Sequence, residues 1–217
     1  MTSSQIGHPA AAAERRAPQG AGVVVVHGKG GSPRRHVAML AQALERAGFL
    51  VEAPELPWSR LRAFDCSFQC GLDEIDAAVA RLARRGATAA ALAGHSLGAN
   101  AAMGYAARHP GVKAVAALAP GHTPELLAGL LADSLERART MVAEGRGEER
   151  AEFFGAFQGR AVPLAVRAVD HLSYDDPAGP AVMPRSAAAW PAPSSPHSAP
   201  GSCTSRPVSP AAHANCD

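Results

Sequence analysis

The chain has 217 residues and a formal net charge of +2 at pH 7, which suits one α/β domain and argues against a nucleic-acid binder or a charge-held membrane protein. Its apolar fraction of 47% can fill a core, yet no run approaches the ~20 apolar residues that span a bilayer. Residues 1–20 carry Arg15 and Arg16 with no apolar stretch behind them, so they read as a flexible leader rather than a secretory signal, and a cytoplasmic location is expected. Cys66, Cys70, Cys203 and Cys216 lack Cys-x-x-Cys spacing, so free thiols are expected and neither a metal nor a cofactor.

Strand-like apolar runs alternate with amphipathic helices, the signature of a mostly parallel sheet with helices on both faces. Ala21 to His27 is the first predicted strand. Arg34 to Ala47 is predicted as a helix with Val37, Leu40, Leu44 and Ala47 on one face, closed by Gly48. Phe49 to Ala53 is a second strand. Leu72 to Arg84 forms the next helix through Leu72, Ile75, Val79 and Leu82, and Gly86 ends it before the apolar run Ala87 to Ala93. A helix from Leu97 to Arg108 leads to a strand over Val112 to Ala119. Thr123 can cap a further helix with Pro124 and Glu125 in its first turn and an apolar face of Leu126, Leu127, Leu130, Leu131 and Leu135, running to about Gly145. That helix opens a cap-like insertion over 123–183, whose part from Phe153 on reads as less regular. The core is thus expected over 21–183.

Two segments carry chemistry. Gly94-His95-Ser96-Leu97-Gly98 sets a serine between two glycines after an apolar strand, where a sharp strand-to-helix turn leaves no room for larger neighbours. The first strand ends in His27-Gly28-Lys29-Gly30-Gly31, a turn that brings backbone N–H groups close to a ligand oxygen. A phosphate cradle is the competing reading of that turn, but Pro33 occupies the place of the third glycine of the dinucleotide pattern and no Gly-Lys-Ser/Thr follows. The expected chemistry is attack by Ser96 on an acyl carbonyl, with the N–H of Leu97 and one from Gly28 or Lys29 holding the oxyanion. Lys29 is read as a solvated side chain whose backbone matters, and His27 and His95 as positioning residues.

On these two motifs, and on their order and separation, the chain resembles the serine esterase and lipase branch of the α/β-hydrolase superfamily over roughly Gly20 to Pro120. The resemblance implies the α/β-hydrolase fold, a small-molecule acyl substrate, and a triad acid and histidine on loops after later strands. No such strands are legible after Pro184. Residues 184–217 are Pro/Ser/Ala-rich and read as a disordered tail, as if the chain were truncated by a shift of reading frame near Arg185 to Pro191. His122 and His171 are the candidates for the missing base, with Asp175 and Asp176 as orienting acids. Activity through Ser96 is therefore expected to be impaired, the alternatives being a non-catalytic binding protein or an inactive truncated product. Loss of the late strands would leave Val112 to Ala119 as an open edge, expected to self-associate.

Overall fold

The computed structural model describes residue 17 and residues 19–182. Most of the predicted leader and all of the predicted 184–217 tail, with the frame-shift junction, lie outside those residues. Four apolar runs form one parallel sheet from β1 (Ala21–Val26), β2 (Leu50–Glu52), β3 (Ala89–His95) and β4 (Val112–Leu118), in the order β2-β1-β3-β4. Helices α1 (Ala38–Arg46), α2 (Phe68–Arg84) and α3 (Leu97–Ala106) connect them.

The unbroken valine run of β1 requires cover on both faces. Val23 and Val25 pack with Val37, Val51 and the α1 leucines Leu40 and Leu44. Val24 and Val26 face the other way, into the main core with Leu72, Ile75, Leu82, Leu92 and Leu97. Each such side chain contributes roughly 1.5–3 kcal/mol on burial, so β1 is fixed in place by its two faces together. The chain leaves β1 for β2 on one side and reaches β3 on the other, so the strand order reverses at β1. Beyond the carboxyl ends of β1 and β3 lies the crevice where open α/β sheets bind ligands, and both predicted motifs fall there.

The insertion differs from the sequence expectation. Its single helix is two, α4 (Pro124–Leu127) and α5 (Ala132–Ala143), separated by a turn containing Gly129. Leu131 and Leu135 are buried, but Leu126 is 77% exposed, so the apolar face is only half used. The segment read as irregular is an antiparallel hairpin, β5 (Arg150–Phe157) paired with β6 (Arg160–Arg167), followed by α6 (Ala168–Asp175). Its signal was hidden by the charged start, by Gly155, and by Pro163 inside β6, which a two-stranded ribbon tolerates because it has only edges. The first predicted helix also starts late, at Ala38, because residues 33–37 form turns.

A second correction concerns the cysteines. Cys66 and Cys70 are joined in a disulfide, with their Cα atoms 6.1 Å apart. Cys66 precedes the N-cap Ser67 of α2 and Cys70 lies one turn in, and one helical turn stacks positions four apart.

Candidate active site

Ser96 stands between β3 and α3 with φ 54° and ψ −122°. A non-glycine residue with positive φ is strained, by roughly 1–3 kcal/mol, and persists only where its surroundings impose it. Here the surroundings do. The Ser96 N–H donates to the Leu118 carbonyl at the end of β4 (3.0 Å), and its own carbonyl accepts from Ala99 (2.9 Å). A Cβ on Gly94 would collide with the backbone of Gly98, and one on Gly98 with the carbonyls of Val26 and His27. The glycines two residues either side of Ser96 are thus a requirement of space.

Gly28 lies directly against this turn, since a Cβ there would meet Ser96 Cβ and the His95 carbonyl oxygen at 3.0 Å each. Within the His27–Gly31 turn, the N–H of Gly30 donates to the Trp58 carbonyl (2.8 Å) and that of Gly31 to the Gly28 carbonyl (2.9 Å). That leaves the N–H groups of Gly28 and Lys29. Leu97, as first residue of α3, carries an N–H that the helix cannot satisfy internally, at its positive end. These donors surround a cavity of about 410 Å³ lined by Gly28, Lys29, Ser96, Leu97, His122 and Phe157 among others.

His27 is buried and braces the turn. Its Nδ1 donates to the Gly28 carbonyl (2.9 Å), so its Nε2 accepts the Leu56 N–H (3.1 Å). Burial pushes this imidazole below its ordinary value, which suits a neutral positioning role. Trp58 adds a second brace, its Nε1–H donating to the His27 carbonyl at 2.7 Å, while Gly71 on α2 leaves space for its ring. No spacing in the sequence signals Trp58, because its hydrogen-bond acceptor is a backbone carbonyl.

The two candidate bases part company. His122 lines the same cavity as Ser96, and a Cβ on its neighbour Gly121 would lie 3.9 Å from Ser96 Oγ. His122 Nε2 is 2.7 Å from the Tyr174 carbonyl. A carbonyl only accepts, so the Nε2 carries the proton and the lone pair of the neutral ring lies on Nδ1. Burial first, and then the charge of Lys29, push this imidazole below its usual 6.5. Asn100 on α3 fixes the backbone, donating from Nδ2 to the carbonyls of His122 (2.7 Å) and Ala181 (2.9 Å).

His171 sits elsewhere, stacked on Phe153. Its Nε2 is 3.2 Å from Ser134 Oγ and its Nδ1 3.4 Å from Asp175 Oδ2. This is a Ser-His-Asp sequence of contacts, yet all three residues are buried and Ser134 also accepts the Phe154 N–H at 2.8 Å, so it ties α5, α6 and β5 together. Lys29 departs from the sequence expectation. Its ammonium is largely buried, donating to the Ala156 carbonyl (3.0 Å) and paired with Asp175 Oδ1 (3.5 Å). Burial opposes ionisation of Asp175, but the His171 ring and Lys29 outweigh it and hold the carboxyl below its usual range. Asp176 pairs with Arg139 at the surface. Among the described residues, Cys66, Cys70 and Glu74 bring ligand-type atoms within 4.8 Å of one another, with both sulfurs held in the disulfide.

The chain has an α/β-hydrolase-like fold, with a parallel core sheet flanked by helices. It is similar to a monoacylglycerol lipase from Paleococcus ferrophilus, with 21% identity, TM-score 0.52, and 76% of this chain and 66% of that chain covered. It is also similar to a hypothetical protein from Pseudomonas aeruginosa, with 15% identity, TM-score 0.50, and coverage of 77% and 64%. A carboxyl esterase from Bacillus coagulans shares 26% identity at TM-score 0.48, covering 63% of this chain and 46% of that one. The chain thus spans about half to two thirds of the length of these structures. No family model and no curated protein matches it.

Proposed function

We propose that the chain is a serine hydrolase acting on a carboxylic ester or related acyl compound, with Ser96 as nucleophile. The observation that carries this is the strained Ser96 turn, which opens on a cavity that Gly28, Lys29, Leu97 and His122 share. In this reading Ser96 Oγ attacks the acyl carbonyl while His122 Nδ1 accepts its proton. The N–H groups of Leu97 and of Gly28 or Lys29 hold the developing oxyanion. Proton return from His122 releases the alcohol, and water then attacks the acyl-serine by the same route. An ester is also what the name monoacylglycerol lipase implies for the Paleococcus ferrophilus protein.

His122 is oriented by a carbonyl where a triad uses a carboxylate. The Tyr174 carbonyl leaves a lone pair on Nδ1, but burial and Lys29 disfavour the imidazolium formed in the transition state and outweigh the charges of Asp175 and Glu125 that favour it. Turnover is accordingly expected to be slow. The test is hydrolysis of p-nitrophenyl acetate by the full chain, Ser96→Ala and His122→Gln. Turnover lost in Ser96→Ala and lowered by about 10²–10⁴ in His122→Gln supports the reading. A folded wild type without turnover favours a binding protein, and turnover unchanged in Ser96→Ala rules out this nucleophile.

A further inference from the structure

Next to the Ser96 cavity lies a second one of about 780 Å³, lined by Gly30, Gly31, Arg34, Arg35, His36 and Arg60 among others, with Glu55 the one carboxylate. The two cavities share Gly31 and His36, so they adjoin at those residues. Several arginines elsewhere are paired with acids, as in Arg62 with Glu74, Arg81 and Arg85 with Glu52, Arg139 with Asp176, and Arg167 with Asp170. Arg34, Arg35 and Arg60 are set apart from other arginines without an acid partner among the described residues, such as Arg84, by lining one cavity together. Among the described residues they make no ion pair, although all three are exposed on this cavity. Three guanidinium groups against one carboxylate leave an excess of two positive charges in this cavity, before His36 is counted. Among the described residues, no Asp or Glu lines the Ser96 cavity itself.

We propose that the cavity of Arg34, Arg35 and Arg60 is a subsite for a phosphate group carried by the acyl substrate. This rests on the reading of Ser96 as nucleophile. A phosphate monoester is a dianion near neutral pH and matches the charge excess. Its oxygens accept the paired N–H forks of guanidinium groups, which a monoanionic carboxylate does with half the charge. The acyl carbonyl then lies over Ser96 and the phosphate extends past Gly31 into the arginine cavity. Because the arginines are exposed, the attraction is screened by salt.

The experiment has a binding arm and a turnover arm. Phenyl phosphate and benzoate are titrated calorimetrically into the full chain at low ionic strength, and into Arg34→Ala, Arg35→Ala and Arg60→Ala, with Arg84→Ala as an exposed-charge control. The expected result is one phenyl phosphate per chain, bound more tightly than benzoate. Each cavity variant should weaken it by about tenfold, the scale of a charge-assisted pair, with no change in the control. Acetyl esters of hydroxyalkyl phosphates of increasing chain length are then compared with the same esters lacking the phosphate. At one chain length kcat/KM should exceed that of the neutral ester by about tenfold, and the advantage should fall with salt and in Arg60→Ala. Absent phenyl phosphate binding, equal binding of benzoate, or binding indifferent to all three arginines overturns the subsite. Arginine-dependent phosphate binding with no ester turned over keeps the anion site and removes the Ser96 reading instead.

Discussion

At Ser96 the backbone is held in a conformation that serine avoids, and the forces that hold it come from neighbours it cannot displace. Gly98 admits no Cβ against the carbonyls of Val26 and His27. Gly98→Ala should therefore push α3 off the end of β1 and cost at least about 2 kcal/mol, an overpacking penalty, measured as a lowered urea midpoint. The same residue scale holds the pH dependence. His122 must be neutral to accept a proton, and its pKa lies below 6.5 because of burial and Lys29. The acid limb of kcat/KM is predicted to have its midpoint below pH 6.5, and a midpoint above that value would exclude His122 as the titrating base. The Ser96 turn was legible in the sequence because glycine spacing is a steric signature. The orientation of His122 was not, since its partner is the carbonyl of Tyr174, and a backbone acceptor leaves no side-chain trace.

At the scale of elements, the site is braced from behind by side chains whose identity the motifs do not disclose. Asn100 links α3 to the loop bearing His122 and to Ala181 through one carbonyl acceptor at each. Asn100→Ala strands both in a buried place, so a loss of about 1–3 kcal/mol is expected, together with a fall in kcat as His122 shifts. A fall in stability with kcat unchanged would show that Asn100 serves the fold alone. Lys29 joins the His27–Gly31 turn to Asp175 at the end of α6. Lys29→Met leaves Asp175 buried with only His171, and a loss of about 3 kcal/mol is predicted. Helices α1 and α2 were legible from their 3.6-residue period, whereas the β5–β6 hairpin was not. Its strands cover the insertion rather than extend the sheet, and Gly155 and Pro163 read as loop.

For the whole molecule, the charge pattern and the open edge set the behaviour. In β4 only Val112 is buried, and Leu118 is 42% exposed, while among the described residues the strand pairs with β3 alone. An unpaired edge of such composition with Lys113 as its one charge should self-associate. Sedimentation at increasing concentration should show growth beyond the monomer, reduced when Ala114 or Ala116 is replaced by lysine. Stability should also fall on acidification. His27 and His122 have lowered folded-state values, so between those values and 6.5 the unfolded chain binds more protons and stability falls as pH falls. Asp175, lowered from 3.8, adds a further loss below that pH. Among the described residues no helix is long and apolar enough to cross a membrane.

The proposed activity requires Ser96 to be a nucleophile activated by His122. Its most direct measurement is labelling of the folded full chain with a fluorophosphonate, followed by peptide mapping of the adduct by mass spectrometry. The account predicts one adduct, on Ser96, absent from Ser96→Ala and formed by His122→Gln at a rate lower by about 10²–10⁴. An adduct on another residue such as Ser134, or none on a folded wild-type chain, would contradict it.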